Sequence, residues 1–410
     1  SGLNMDDPEH MATMTLTHCL THSSGLADYL QVDASHEDSG LAQFFTGTGA
    51  LTWGKRDYFS DPPGSFYDYA NPNFMLAGYV LEKVGGVPYR TAVHDRVLAP
   101  LGMNRTVFLP SEALADGDTT NGASTDANGK PWDVAPDSYD NSWARPAGYA
   151  FSSVLDYEKF LSFLLEGNTA VLPDDLRAKM QSAVVPTEDP GGLGGYGFGI
   201  ENDSGFQLSS DYYDVPLVSH NGAIPGYATE WYLVPSTGFG IVAFANADGA
   251  YFGDSVALAF KAFADLPAST TPTQPAQDPE ALAKIAGDYV DPHNVGHVTV
   301  SLSGTSLSVS MPDLDKASIP YSTALSPEGN DNFSFVVQGQ EVEITFLKDG
   351  GGAYTWMRAR PFVATRTALA ADGGAPLPVP FPGPPHLPTS AERHPMRPAE
   401  RLAHAQLPAR

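Results

Sequence analysis

Between Pro267 and Pro279 the pattern of this 410-residue chain changes, and the change limits what it can fold into. Residues 267–278 are rich in Pro, Thr, Gln and Ala, the composition of an extended linker. Upstream, helical apolar spacing alternates with strand-like runs. Downstream only short alternating runs occur, at 298–303, 306–311, 333–337, 341–347 and 354–358, separated by turns such as Ser303-Gly304-Thr305 and Asp349-Gly350-Gly351-Gly352. They predict a small antiparallel barrel or sandwich over 279–365. The expected fold is therefore α/β (α+β) over 1–266, then the β unit, then a tail at 366–410 whose Pro, Ala and Arg show no period and predict disorder.

Charge narrows the partners. With 48 acidic residues against 22 basic ones and a net charge of −26, the chain repels phosphates, which argues against nucleic acid or an anionic membrane. No apolar run reaches the ~18 residues a membrane helix needs. Cys19 is the only cysteine, so no internal disulfide can form and redox compartment is not readable. The start, Ser1-Gly2-Leu3-Asn4-Met5-Asp6-Asp7-Pro8, has neither the basic nor the apolar region of a signal peptide.

Within the first unit the most informative stretch is 63–103. Pro63-Gly64-Ser65-Phe66-Tyr67-Asp68-Tyr69-Ala70-Asn71-Pro72-Asn73 reads as a loop that delivers a phenol and an amide to a helix start. Ala77, Val80, Leu81 and Val84 then recur at the spacing of one helix face. Gly85-Gly86 closes that helix, Pro88 opens a second with Tyr89, Val93 and Val97 on one side, and Pro100-Leu101-Gly102-Met103 ends the unit. A plainer reading of the same head is a helix start, with Asn71 as cap and Pro72 at the first helical position. Residues 27–62 read as loop with short helical pieces and residues 110–147 as polar loop, both shaping a cleft.

Other motifs follow in order. His18 and His22 stand four apart, as two metal ligands on a helix would. Neither the glutamate of a His-Glu-x-x-His pattern nor a third ligand follows, so the simpler reading has His22 satisfying backbone groups at the helix end. Ser153 and Asp156 have capping-box spacing ahead of a helix carrying Tyr157, Phe160, Leu161 and Leu164 and stopped by Gly167. The strand-like 215–222 ends in His220-Asn221-Gly222. Strands at 229–234 and 239–246, joined by Pro235-Ser236-Thr237-Gly238, and an amphipathic helix at 254–264 come next.

Taken together these motifs resemble the serine β-lactamase and penicillin-binding-protein superfamily, in its class C, esterase and D-aminopeptidase-like branch. Tyr69-Ala70-Asn71 resembles its tyrosine motif and His220-Asn221-Gly222 its His-x-Gly. His18-Cys19-Leu20-Thr21-His22-Ser23-Ser24-Gly25-Leu26, Pro146-Ala147-Gly148 and Tyr196-Gly197-Phe198-Gly199 resemble turns found between those motifs. Ile285-Ala286-Gly287-Asp288-Tyr289 resembles the opening of lipocalin-like barrels attached to many members. The resemblance implies a β-lactamase/transpeptidase-like antiparallel sheet with helices, and a hydrolase that forms an acyl-enzyme from an amide, ester or β-lactam without metal or cofactor. It implies a small-molecule or peptide substrate and an extracytoplasmic location. Residue by residue, it gives Tyr69 the role of phenolic base and acid. Asn71 would hold the substrate amide or orient a lysine, and His220, with Asn221 and Gly222, would line the strand beside the acyl group.

One motif of that superfamily is missing. None of the lysines has a serine three residues before it, and no Gly-x-Ser-x-Gly elbow replaces the Ser-x-x-Lys. An acyl-enzyme needs a nucleophile, a base and oxyanion donors, and a tyrosine with an ordinary pKa of about 10 stays protonated unless a cation favours the phenolate. The first residues resemble the segment just after the family's nucleophile helix, so the expectation is an N-terminally incomplete hydrolase unit with an uncovered sheet edge. Two alternatives stay open: a non-catalytic penicillin-binding-like protein that holds a peptide or cell-wall ligand, and a metal-dependent hydrolase built on His18 and His22. All these substrates share the same motifs, so choosing among them rests on analogy.

Overall fold

The computed structural model describes residues 3, 7–28, 37–47, 59–125, 130–138, 140–208, 211–247, 249–250, 252–271 and 278–367. The middle of the expected linker, 272–277, and the expected disordered tail from 368 onward lie outside the described residues.

Strands in the first unit are β1 (Gly122–Thr125), β2 (Pro131–Val134), β3 (Val185–Pro186), β4 (Gly194–Tyr196), β5 (Glu201–Asp203), β6 (Phe206–Leu208), β7 (Asp211–Tyr213), β8 (Leu217–Ile224), β9 (Tyr227–Val234) and β10 (Phe239–Ala245). Six of them form one antiparallel sheet in the order β10-β9-β8-β5-β4-β3, while β1-β2 and β6-β7 are separate hairpins. Alternation along β8 and β9 gives the sheet two apolar faces. Leu217, Tyr232 and Val234 pack with Val256 and Phe260 of the Gly253–Phe263 helix. Their neighbours Val218, Trp231 and Leu233 pack with Leu161 and Leu164 of the Val154–Glu166 helix. Each fully buried side chain of this size contributes roughly 1.5–3 kcal/mol, so the two helices are held by the period-2 pattern of the strands between them. β10, seven residues without a charge, is one of the two outer strands of this sheet, whose six strands all lie between Val185 and Ala245.

Several sequence expectations need correction. The Asn71–Gly85 helix buries Met75, Leu76 and Tyr79, whereas Ala77, Val80 and Leu81 are half-buried and Val84 is 83% exposed. Gly78 decides this orientation, because a Cβ there would lie 2.2 Å from Cγ of Pro146, so the backbone itself is the contact surface. Residues 110–147 are not merely loop: they contain the Pro110–Asp116 helix, the β1-β2 hairpin and a 3-10 turn at Arg145–Ala147. Only half of the expected capping box forms. Ser153 accepts from the Asp156 backbone N–H, while the Asp156 carboxylate turns to Arg105 N at 2.6 Å and Lys159 Nζ at 2.7 Å.

After the linker, β11 (Gly287–Asp291), β12 (Gly296–Ser303), β13 (Ser306–Ser310), β14 (Ser326–Gly329), β15 (Asn332–Val337), β16 (Gln340–Lys348), β17 (Tyr354–Ala359) and β18 (Phe362–Arg366) form a second antiparallel sheet. Its order is β13-β12-β11-β18-β17-β16-β15-β14. The segment before β14 nearly closes it into a barrel: Val309 N donates to Thr323 O at 2.7 Å and Ser322 N to Val336 O at 2.7 Å. Tyr289, Val298, Val309, Phe333, Phe346 and Met357 belong to its own core. Arg366 is the last residue of β18 and donates to Lys284 O at 2.6 Å, so the assignment of 366 to the tail is corrected by one residue at least.

Gly78→Val should lower stability by about 1–3 kcal/mol, the usual cost of overpacking, because even its Cβ would lie 2.2 Å from Pro146 Cγ. The urea midpoint of the whole chain measures it, and an unchanged midpoint would show that the turn at Arg145–Ala147 yields.

Candidate active site

The loop ahead of the Asn71–Gly85 helix is drawn inward by backbone hydrogen bonds, with Gly64 N donating to Ser23 O at 2.7 Å and Asp68 N to His22 O at 2.7 Å. Ala70 is extended at the N-cap and has no side-chain acceptor of its own. His22 serves instead: its Nδ1 accepts from Ala70 N at 3.1 Å and lies 3.2 Å from Asn73 Nδ2. The local role expected for His22 thus reaches a backbone group 48 residues away. Its φ of 50° places it beyond the Leu16–Leu20 helix, so the spacing of four does not put His18 and His22 on one helix face. The His22 ring lies against Tyr69, centroids 4.1 Å apart.

Tyr69 and His220, 151 positions apart in sequence, come together with ring centroids 6.4 Å apart. On β8, His220 Nδ1 is 2.7 Å from Asn221 O, a carbonyl that can only accept. Nδ1 therefore carries the proton, and in the neutral ring Nε2 accepts from the Tyr196 hydroxyl at 3.1 Å. Asn221 and Gly222 continue the strand opposite Glu230 and Thr229, and a Cβ at Gly222 would lie 2.8 Å from Thr229 Oγ1. Asn71 faces Asp28: its backbone N donates to Asp28 Oδ1 at 2.8 Å and its Nδ2 at 3.0 Å. Asp28 Oδ2 accepts from Arg360 Nε at 2.8 Å, and the Arg360 guanidinium lies over the Tyr69 ring, 4.7 Å from its centroid.

Burial dominates the electrostatics. It pushes the Tyr69 phenol up to about 12, opposed by Arg360 and reinforced by Asp28 and Glu201. Tyr69 is therefore a protonated donor at neutral pH in this arrangement. Burial also raises Tyr67 and Tyr196 well above the ordinary phenol range. Asp61 is pushed up to about 7 by burial, against the pull of Ser60 and Arg358, and Asp68 is raised by burial and by Asp61 beside it. Arg358 of β17 donates from Nη1 to Tyr67 O and from Nη2 to Thr187 O at 3.0 Å.

Sequence reasoning did not single out Asp28, Arg358 or Arg360. Arg358 and Arg360 lie more than 280 positions from the loop they touch, and a period-2 strand pattern gives no sign of what its end meets. Tyr196 had a signal, its Tyr-Gly-Phe-Gly motif. Among the described residues no group of three His, Cys, Asp or Glu is placed to hold a metal, and no helix is long and apolar enough to cross a membrane.

Residues 3–265 match the family model described as Beta-lactamase. An unguisins hydrolase of Aspergillus campestris is 30% identical over 193 residues, 46% of this chain and 34% of the relative. A D-aminopeptidase of Cereibacter sphaeroides is 28% identical over 222 residues, 53% of this chain and 39% of the relative. The chain thus spans between a third and two fifths of the length of these two relatives. A crystal structure of SurE superposes with a TM-score of 0.59 at 21% identity, covering 89% of this chain and 82% of that one, which shows a shared fold through the barrel.

The raised Asp61 gives a pH signature. A carboxyl whose folded pKa lies above its unfolded value stabilises the fold fully below the unfolded value, about 3.9, and that contribution is lost as pH rises through about 7. The melting temperature should fall between about pH 4 and pH 7, and Asp61→Asn should flatten much of that fall. An equally steep fall in the variant would assign it to another group.

Proposed function

The chain belongs to the Beta-lactamase family through residues 3–265, and from this we propose that it forms the tyrosine and histidine walls of an acyl-transfer site in a serine hydrolase acting on an amide or ester. The observation that carries the proposal is the meeting of Tyr69 with His220 at 6.4 Å, beside the exposed Gly222 of β8. In this reading a carbonyl lies along β8 at Asn221 and Gly222, and Tyr69 delivers a proton to the leaving group. Asn71, fixed by Asp28, orients the reacting groups. The serine and the lysine come from a Ser-x-x-Lys segment that these 410 residues do not contain. Such a lysine would also oppose the burial that holds the Tyr69 phenol at about 12 and let it act as a base. The relatives named as a hydrolase and a D-aminopeptidase support a peptide or amino-acid amide as substrate.

The proposed division is a hydrolase unit at 1–266, a linker at 267–278 and a barrel at 279–365, with Arg366 added to the barrel. The barrel core is drawn from Leu282 to Ala364 and supports independent folding. Arg358 and Arg360 nonetheless cross to the tyrosine loop, so a 1–266 fragment should keep a cooperative melt while its Tyr67–Tyr69 loop loses protection from hydrogen exchange. A loop equally protected in the fragment would show that the arginines do not hold it.

A second reading, ligand binding without chemistry, draws on the protonated Tyr69. One experiment separates the two. The chain as it stands should give no covalent adduct with a fluorescent penicillin or an activated p-nitrophenyl ester by intact mass, and the same chain joined to a Ser-x-x-Lys segment of the family should give one. In the joined version Tyr69→Phe should slow acylation by about 10²-fold, as for loss of a positioned acid–base group. Saturable binding with no adduct in either version would favour the second reading.

A further inference from the structure

We propose that Arg360, contributed by the barrel at the β17–β18 turn, is a positioning residue for the Tyr69 phenol: its guanidinium packs on the ring that His22 also contacts, and Asp28 ties it to the first residue of the Asn71–Gly85 helix. The effect on rate rests on the acyl-transfer reading, whereas the positioning itself does not.

The contact has a regular basis. Along β17 and its turn, residues 356, 358 and 360 share one side by strand alternation. Trp356 packs on Phe66 with ring centroids 5.1 Å apart, Arg358 donates to Tyr67 O, and Arg360 covers the Tyr69 ring at 4.7 Å. The end of one barrel strand thus meets Phe66, Tyr67 and Tyr69 of the tyrosine loop in chain order. Tyr69 also meets the His22 ring at 4.1 Å, so two side chains from different elements pack against it.

Asp28 fixes the remaining freedom. One of its oxygens accepts both donors of Asn71 and the other accepts Arg360 Nε at 2.8 Å, so Tyr69, Asn71 and Arg360 form one unit about a single carboxylate. Held through Nε, the guanidinium keeps its central carbon over the phenol ring while bound to Asp28, a combination the fork of arginine allows and the point charge of lysine does not. Asp28 neutralises Arg360, which suits a supporting role better than capture of a substrate anion.

The groups around Tyr69 predict the sign of the effect. Arg360 favours the phenolate, Asp28 and Glu201 disfavour it, and His22, His220 and Tyr196 face the ring or its neighbours from the other elements. Arg360 thus supplies a positive charge from the barrel over the Tyr69 ring.

The whole chain carrying 3-nitrotyrosine at position 69 tests this, because that phenol titrates nearer neutrality and is read by its own visible absorbance. Arg360→Gln should raise the midpoint by about one pH unit or more, as for loss of an adjacent opposite charge. Arg360→Lys should give a smaller rise, since it keeps the charge and loses the fork. A lowered midpoint in Arg360→Gln would mean that Arg360 only shields the ring from water, and an unchanged one that it does not act on Tyr69; either overturns the proposal. Should the Gln variant not fold, Arg360→Lys decides alone: a rise of a few tenths supports the role, and an unchanged or lowered midpoint refutes it. In the version joined to a Ser-x-x-Lys segment, Arg360→Gln should slow acylation about tenfold with KM little changed, and an unchanged rate would refute a role in catalysis. If the parent version does not acylate either, the functional reading fails and the titration still decides the place of Arg360.

Discussion

Two arginines on one strand end, Arg358 and Arg360, hold the loop on which the candidate site depends. A loop rich in aromatic residues does not fix its own backbone, and a buried carbonyl left without a donor costs about 1–3 kcal/mol. Arg358 supplies that donor to Tyr67 O and a second one to Thr187 O, so two segments of the first unit are pinned by one side chain of the barrel. Asn330 and Asn332 extend the seam by donating to Pro190 O and Glu188 O, each at 2.9 Å. The barrel therefore adjoins the first unit through directional polar contacts at Tyr67, Thr187, Glu188 and Pro190.

Burial beside charge sets the chemistry of the cleft. Tyr67, Tyr69 and Tyr196 cluster with His22 and His220, and burial holds the three phenols above their ordinary range, so they keep their protons. Asp68 belongs to the same loop and shares the Ser60 hydroxyl with Asp61, and the charge of Arg358 favours the ionisation of both without overcoming their desolvation. The phenols of the cleft are therefore donors. Turning one of them into a base at neutral pH requires a further positive charge, and this is the place a lysine takes in the proposed reaction.

The sheet behind the cleft has a simpler logic. Strict alternation along β8 and β9 forces alternate residues to opposite faces, and each face takes one helix. His220 stands on that strand between buried Ser219 and the exposed Gly222, where the pattern passes from core to cleft. Its orientation comes from its own chain neighbour, Asn221 O, and from Tyr196 on β4.

Local signals in the sequence carried a good deal. The alternating runs predicted most strands of the barrel, and the order of the tyrosine motif, His220-Asn221-Gly222, hairpin and helix predicted the family and the antiparallel sheet. These are properties of short windows, where hydrophobic period and turn chemistry act directly on the backbone. The buried face of the Asn71–Gly85 helix was misread because Gly78, which has no side chain to count in a periodicity, is where Pro146 packs closest. The roles of Asp28, Arg358 and Arg360 were not legible at all. A charged residue in sequence looks the same whether solvated or buried, and only the docking of a barrel strand against a loop some 290 positions away gives each guanidinium its carbonyl, its carboxylate and its ring.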